Sequence, residues 1–172
     1  IDVYKIKDEL DRRGLGCSTL STGQARGMEG IALTGAGEAA SEAAQKRFMQ
    51  HIDAASVLKS KVTVGLLRGL GAEATREKDL EQLREAMLPL VDYADKKGVV
   101  LCLEAINRYE TAMLNSAEAA MDFVVNKLGN PDSVGILWDL FHANIEDIGF
   151  ERSVDAMGPK LKHLHLADSN RW

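Results

Sequence analysis

The sequence predicts an α/β protein of the (β/α)₈ barrel type, present as about five consecutive strand–helix units. Short apolar runs alternate with helical patterns along all 172 residues. That order calls for a parallel sheet with right-handed crossovers. Three of the runs end in residues that bear chemistry. In 98–110 (GVVLCLEAINRYE) the apolar part closes on Glu104, and 134–140 (VGILWDL) closes on Asp139. In 161–167 (LKHLHLA) His163 and His165 precede Asp168. Several strand ends contributing together suit a barrel, whose active face is the carboxyl end of its strands. A doubly wound sheet gathers its ligands at a single switch point. A complete barrel needs eight strands and typically about 250 residues. Residues 1–172 are therefore expected to form one partial barrel domain, with the first and last strands outside this chain.

Each element has a local reason. Residues 2–13 put Val3, Ile6 and Leu10 on one helical face, with Gly14 as a stop. Residues 15–21 read as a short strand, and 23–37, rich in Gly and Thr, as a long loop of the kind often tied to function. Ser41 is placed to cap a helix reaching about residue 60, with Ala44, Phe48, Ile52 and Ala55 inward. Residues 61–67 form the next strand, and Arg68-Gly69-Leu70-Gly71 its exit loop. A long helix over 75–97 carries the stripe Leu80, Leu83, Met87, Leu90 and Ala94, with a kink expected at Pro89. Gly98 ends that helix and opens the run from Val99 to Leu103. A helix over 116–128, capped by Asn115 or Ser116, buries Ala120, Phe123 and Val124 and stops at Gly129-Asn130-Pro131. Residues 144–157 read as loop plus a short helix, and Gly158-Pro159 as the last turn.

Composition bounds the function. At 45% hydrophobic and 27% charged residues, the chain has an ordinary globular balance. A net charge of −5 argues against a nucleic-acid partner. No apolar run approaches the length of a membrane span, and no signal peptide is visible. Cys17 and Cys102 make no disulfide framework, so a reducing, cytoplasmic setting is expected. The chain starts without Met and stops just after a functional-looking loop, hence the expectation of a longer parent protein.

Glu104, Asp139 and His165 are a hard O/O/N donor set that suits Mn²⁺, Mg²⁺, Co²⁺ or Zn²⁺. Any one of them alone would be an ordinary polar strand end; three at equivalent ends of one sheet are the stronger signal. His142 follows Asp139 by three residues and either binds a substrate oxygen or caps the loop. Glu110 and Arg108 would, on their own, read as a solvated pair. His163 and His165 share one face of their strand, so one can ligate while the other packs. Arg171 is a candidate anion or hydroxyl clamp. Arg68, at another strand end, is a weaker candidate that together with loop 23–37 would suit a phosphate. His51 lies mid-helix and Cys102 reads as a small buried side chain. The loop glycines match no dinucleotide or P-loop spacing.

The segments LEAINRYE (103–110), WDLFHANIED (138–147) and HLHLADSNR (163–171) resemble the xylose isomerase-like sugar and sugar-phosphate isomerases and epimerases. Within them the chain is most similar to the ketose 3-epimerases that act on tagatose and psicose. The resemblance covers 61–172, and the N-terminal third only in layout. It implies a (β/α)₈ barrel with one divalent metal, commonly Mn²⁺, Co²⁺ or Mg²⁺. Glu104 is implied as a ligand and as one of two acid/base carboxylates, with Asp139 and His165 as further ligands. Glu110, His142 and Arg171 are implied as holders of substrate oxygens. The fourth ligand, a glutamate on the last strand and also the second acid/base group, would lie beyond residue 172. A small sugar or sugar phosphate is the implied partner, with a homo-oligomeric assembly. Competing readings are a hydroxypyruvate isomerase or inosose dehydratase, an endonuclease IV-like repair enzyme, and a non-catalytic sugar-binding relative. Four histidines and the negative charge weigh against the repair enzyme.

Overall fold

A computed structural model of the chain describes residues 2–168; Arg171 lies outside them. Five parallel strands stand in consecutive order: β1 Thr19–Ser21, β2 Lys61–Val64, β3 Leu101–Glu104, β4 Val134–Asp139 and β5 Leu161–His165. Unbroken order is that of a barrel wall, because a doubly wound sheet reverses direction at its switch point. Helices α1 (Val3–Arg12), α3 (Glu38–Leu58), α4 (Arg76–Lys97), α5 (Ala117–Asp122) and α7 (Phe150–Met157) alternate with the strands. Phe48 and Ile52 of α3 and Leu83, Met87 and Leu90 of α4 lie fully buried with Val62, Leu101, Leu103 and Ile136 of the sheet. Each such side chain contributes about 1.5–3 kcal/mol on burial. Gly98, at φ 64°, accepts the left-handed turn that ends α4 and releases the chain into β3.

Several local expectations are corrected. Residues 23–37 are not all loop: α2 (Gly23–Glu29) forms, buries Ala25 and ends on Gly30 at φ 67°. Its two glycines, with Gly30 at its end, mask a helix that packing against the β2 exit supports. Helix α3 starts at Glu38, not Ser41, whose hydroxyl donates to the Leu33 carbonyl at 2.8 Å. Strand β2 stops at Val64, and the next residues form a single 3₁₀ turn, Leu66–Arg68. Helix α4 continues through Pro89, which lies on its exposed side. Ser116 is the cap of α5, its Oγ accepting from the Ala119 N–H at 3.2 Å; α5 then widens into a π turn, Phe123–Lys127. Between β4 and α7 an extra helix, α6 (Leu140–Glu146), begins directly on Asp139. The expected apolar face of α1 is only partly covered, with Ile6 still 40% exposed.

Gly69 sits at φ +109°, where a Cβ would stand 2.7 Å from the Thr34 carbonyl oxygen and clash with the Thr34 hydroxyl. Gly69→Ala is expected to destabilise the protein by about 1–3 kcal/mol, read from a denaturant midpoint.

Candidate metal and sugar site

Glu104, Asp139 and His165 meet at the carboxyl ends of three neighbouring strands. Asp139 and His165 are direct register partners, and Glu104 ends β3 beside Leu137. The His165 Nδ1 stands 3.9 Å from the Glu104 Oε1 and 3.6 Å from the Asp139 Oδ2. Both carboxylates are largely buried, while the His165 side chain is 42% exposed. Asp139 divides its two oxygens. Oδ1 takes the Phe141 N–H at 2.8 Å and so starts α6. Helical spacing then turns His142, three residues on, back over the same corner. Among the described residues, Glu104, Asp139 and His142 form a group whose donor atoms lie within 4.8 Å of one another.

The wall beyond is built by the loop after β3. Asn107, buried, donates through Nδ2 to the Glu110 Oε1 at 3.1 Å and contacts the His142 Nδ1 at 2.7 Å. Arg108 fixes the outside of this loop: its backbone N–H, Nε and Nη2 donate to the Glu146 carboxylate at 2.6, 2.9 and 2.8 Å. The cavity in front holds about 400 Å³ and is bordered by Gly65, Leu66, Glu104, Glu110, Asp139 and His142.

Arg68, expected at the rim, is instead fully buried beneath it. Its Nη1 donates to the Glu104 carbonyl at 2.8 Å and to the Val64 carbonyl at 3.4 Å, and Nη2 to the Met113 carbonyl at 2.9 Å. Its Nε meets no acceptor among the described residues. Burial pulls this guanidinium down to about 10, against the pull of Glu104. It therefore stays charged at neutral pH and ties the ends of β2 and β3 to the loop that follows. His163 packs its ring 5.0 Å from that of His165, and burial, aided by His165 and Lys61, lowers its proton affinity.

Burial raises the Glu104 carboxyl above the usual carboxylate range; Arg68 and His165 oppose the shift, and Asp139 and Glu110 reinforce it. A half-compensated cluster of carboxylates and imidazoles fits a divalent cation, whose charge would relieve the repulsion between the acids. Gly65 makes room for this arrangement, since a Cβ there would stand 2.8 Å from the Glu104 Oε2. Gly65→Ala is expected to push that carboxylate aside and weaken Mn²⁺ binding by about tenfold, with little change in melting temperature. A Mn²⁺ titration with a parallel thermal melt checks both.

Sequence reasoning placed Glu104, Asp139, His165, Glu110 and His142 near one another, and the structure brings all five together. It missed the roles of Asn107 and Glu146. The opposite charges of Arg108 and Glu146, each just after a chemistry-bearing strand end, were the available signal for the second.

The model of the family described as xylose isomerase-like TIM barrel matches residues 2–171. A D-psicose 3-epimerase of Agrobacterium fabrum is 37% identical over 87 residues, 51% of this chain and 29% of that protein. An L-ribulose 3-epimerase of Methylomonas sp. is 38% identical over 86 residues, 50% of this chain and 29% of that protein. The solved D-allulose 3-epimerase of Methylomonas sp., in complex with D-allulose, superposes at a TM-score of 0.80 with 26% identity, over 99% of this chain and 58% of that one. A solved L-ribulose 3-epimerase gives a TM-score of 0.84 at 24% identity, over 99% and 57%. The chain thus spans a little over half the length of these solved relatives.

Proposed function

Since this chain belongs to the xylose isomerase-like TIM barrel family, we propose that it carries much of the active site of a metal-assisted ketose 3-epimerase. The observation that carries the reading is the meeting of Glu104, Asp139 and His165 at one rim, with His165 within 4 Å of both carboxylates. Two of the relatives matching the chain are named 3-epimerases of psicose and of ribulose, both ketoses.

Glu104, Asp139 and His165 would hold one divalent cation, Mn²⁺, Co²⁺ or Mg²⁺ by the chemistry of the set. When bound, that ion supplies positive charge beside the sugar carbonyl, where negative charge develops as a neighbouring proton leaves. Glu104 exchanges that proton. Without a cation, burial raises its proton affinity; a bound cation would oppose that shift, so the two together tune a group that must both take and return a proton. Glu110 and His142 hold sugar hydroxyls, joined by Arg171. A second carboxylate on the opposite face of the sugar would return a proton from the other side and invert C3. Arg68 is read as a positioning residue for Glu104, its burial leaving no path to a substrate phosphate.

The test is a ketose panel with the full-length protein and Mn²⁺ in D₂O. The reading expects the C3 epimer with deuterium at C3. An aldose product carrying deuterium at C2 would make the protein an aldose–ketose isomerase. No exchange with any ketose would overturn the reading.

A further inference from the structure

We infer that Asn107 fixes the tautomer of His142, holding its ring proton on Nε2, so that the ring acts as a hydrogen-bond donor toward substrate and not as a metal ligand. The identity of the substrate oxygen rests on the epimerase reading; the tautomer rests on geometry alone.

The Asn107 amide is oriented by a group that can only donate. The Tyr109 backbone N–H meets the Asn107 Oδ1 at 2.9 Å. The amide NH₂ must then face the other two partners, the Glu110 Oε1 at 3.1 Å and the His142 Nδ1 at 2.7 Å. A ring nitrogen that accepts a hydrogen bond carries a lone pair and no proton, so the neutral ring bears its proton on Nε2. A doubly protonated ring would set Nδ1–H against the amide N–H. Asn107 is 2% exposed and His142 4%, so water is poorly placed to substitute for the missing partner in either alternative.

Two consequences follow. The single lone pair of the neutral ring is engaged by Asn107, so a cation beside Glu104 and Asp139 cannot draw on it, although the ring lies within reach. His165 remains as the imidazole facing both carboxylates. Second, one amide positions a pair of opposite hydrogen-bonding character, the Glu110 carboxylate as acceptor and the His142 ring as donor, with Nδ1 4.0 Å from Oε1. That pairing matches adjacent oxygens of a polyhydroxylated ligand, one donating and one accepting. Asn107 itself does not border the cavity, which makes it a positioning residue. The loop that carries it is pinned by the Arg108–Glu146 pair and by the Asn115 amide, which donates to the Ile106 and Thr111 carbonyls at 2.8 and 2.7 Å.

The experiment is ¹⁵N-histidine NMR on the full-length protein, with the His142 signals assigned by their loss in His142→Gln. The expected wild-type spectrum shows Nδ1 unprotonated and Nε2 protonated; a protonated Nδ1 overturns the inference. Asn107→Asp replaces the donor by a group that only accepts. It is expected to place a proton on Nδ1 and to lower kcat/KM for a ketose by about tenfold or more. An Asp variant with an unchanged His142 spectrum overturns the inference as well. Should that variant not fold, the wild-type spectrum decides by itself. A protein that turns over no ketose yet shows the expected tautomer would end the epimerase reading and leave the tautomer assignment standing.

Discussion

Glu104→Gln in the full-length protein is expected to lower ketose epimerisation by at least about 10³-fold while leaving the fold intact. Glutamine keeps the shape of the side chain but cannot take a proton, and it is a far poorer partner for a divalent cation. The fold survives because the native environment disfavours the charge that is lost. Burial and the nearby Asp139 and Glu110 all push the Glu104 carboxyl toward its neutral form. Native Glu104 keeps its proton to higher pH than the unfolded chain does. Over that interval the native state binds more protons, so the metal-free protein loses stability as pH rises through the raised value. Glu104→Gln has no such proton to lose, and its stability should be flatter over the same interval. Steady-state rates and denaturant melts at several pH values measure both effects. Wild-type turnover in the variant would remove Glu104 from its acid/base role.

Arg68→Met is expected to destabilise the protein by about 2–4 kcal/mol. Three hydrogen bonds from a charged donor are lost, each worth about 1.5–3 kcal/mol, and the carbonyls of Val64, Glu104 and Met113 stay behind, two of these bonds fully buried. Release of a buried cation offsets about 3 kcal/mol of that, judged from its pull-down to about 10. The hydrogen bonds win because methionine offers those oxygens nothing. Since one of them belongs to Glu104, Mn²⁺ affinity should fall together with stability. Arg68→Lys keeps the charge but lacks the planar fork that reaches two segments at once, and should fall between the two. Chemical denaturation of the three proteins, with and without Mn²⁺, checks the order. An Arg68→Met protein as stable as wild type would show that the buried guanidinium is not what joins β2, β3 and the following loop.

The parts legible in the sequence are those set by period and by chain neighbours. Leu101 to Leu103 and Val134 to Trp138 are apolar without interruption, which a strand buried on both faces requires, and the polar residues that end them could only lie at the rim. His142 was legible as a neighbour of Asp139 three residues on, though expected at the start of a loop; it lies instead on α6, which Asp139 starts. What was hidden depends on contacts between distant segments. Two glycines within it and Gly30 at its end made α2 look like loop, because the packing that holds a weak helix leaves no trace in its own residues. Arg68 read as a rim residue because nothing local says that the turn Leu66–Arg68, between Gly65 and Gly69, swings it inward onto the carbonyls of Glu104 and Met113. Asn107 stood in view beside Glu104, yet its task is defined by the Tyr109 N–H, Glu110 and His142 together, which only the folded loop assembles.

Electron paramagnetic resonance of Mn²⁺ bound to the full-length protein tests most directly whether side chains from β3, β4 and β5 share one ion. One Mn²⁺ per chain is expected, with coupling to an imidazole nitrogen that vanishes in His165→Gln and persists in His142→Gln, and with binding sharply weakened in Asp139→Asn. Nitrogen coupling that survives His165→Gln, or Mn²⁺ binding indifferent to both Asp139 and Glu104, would contradict a shared cation at this rim.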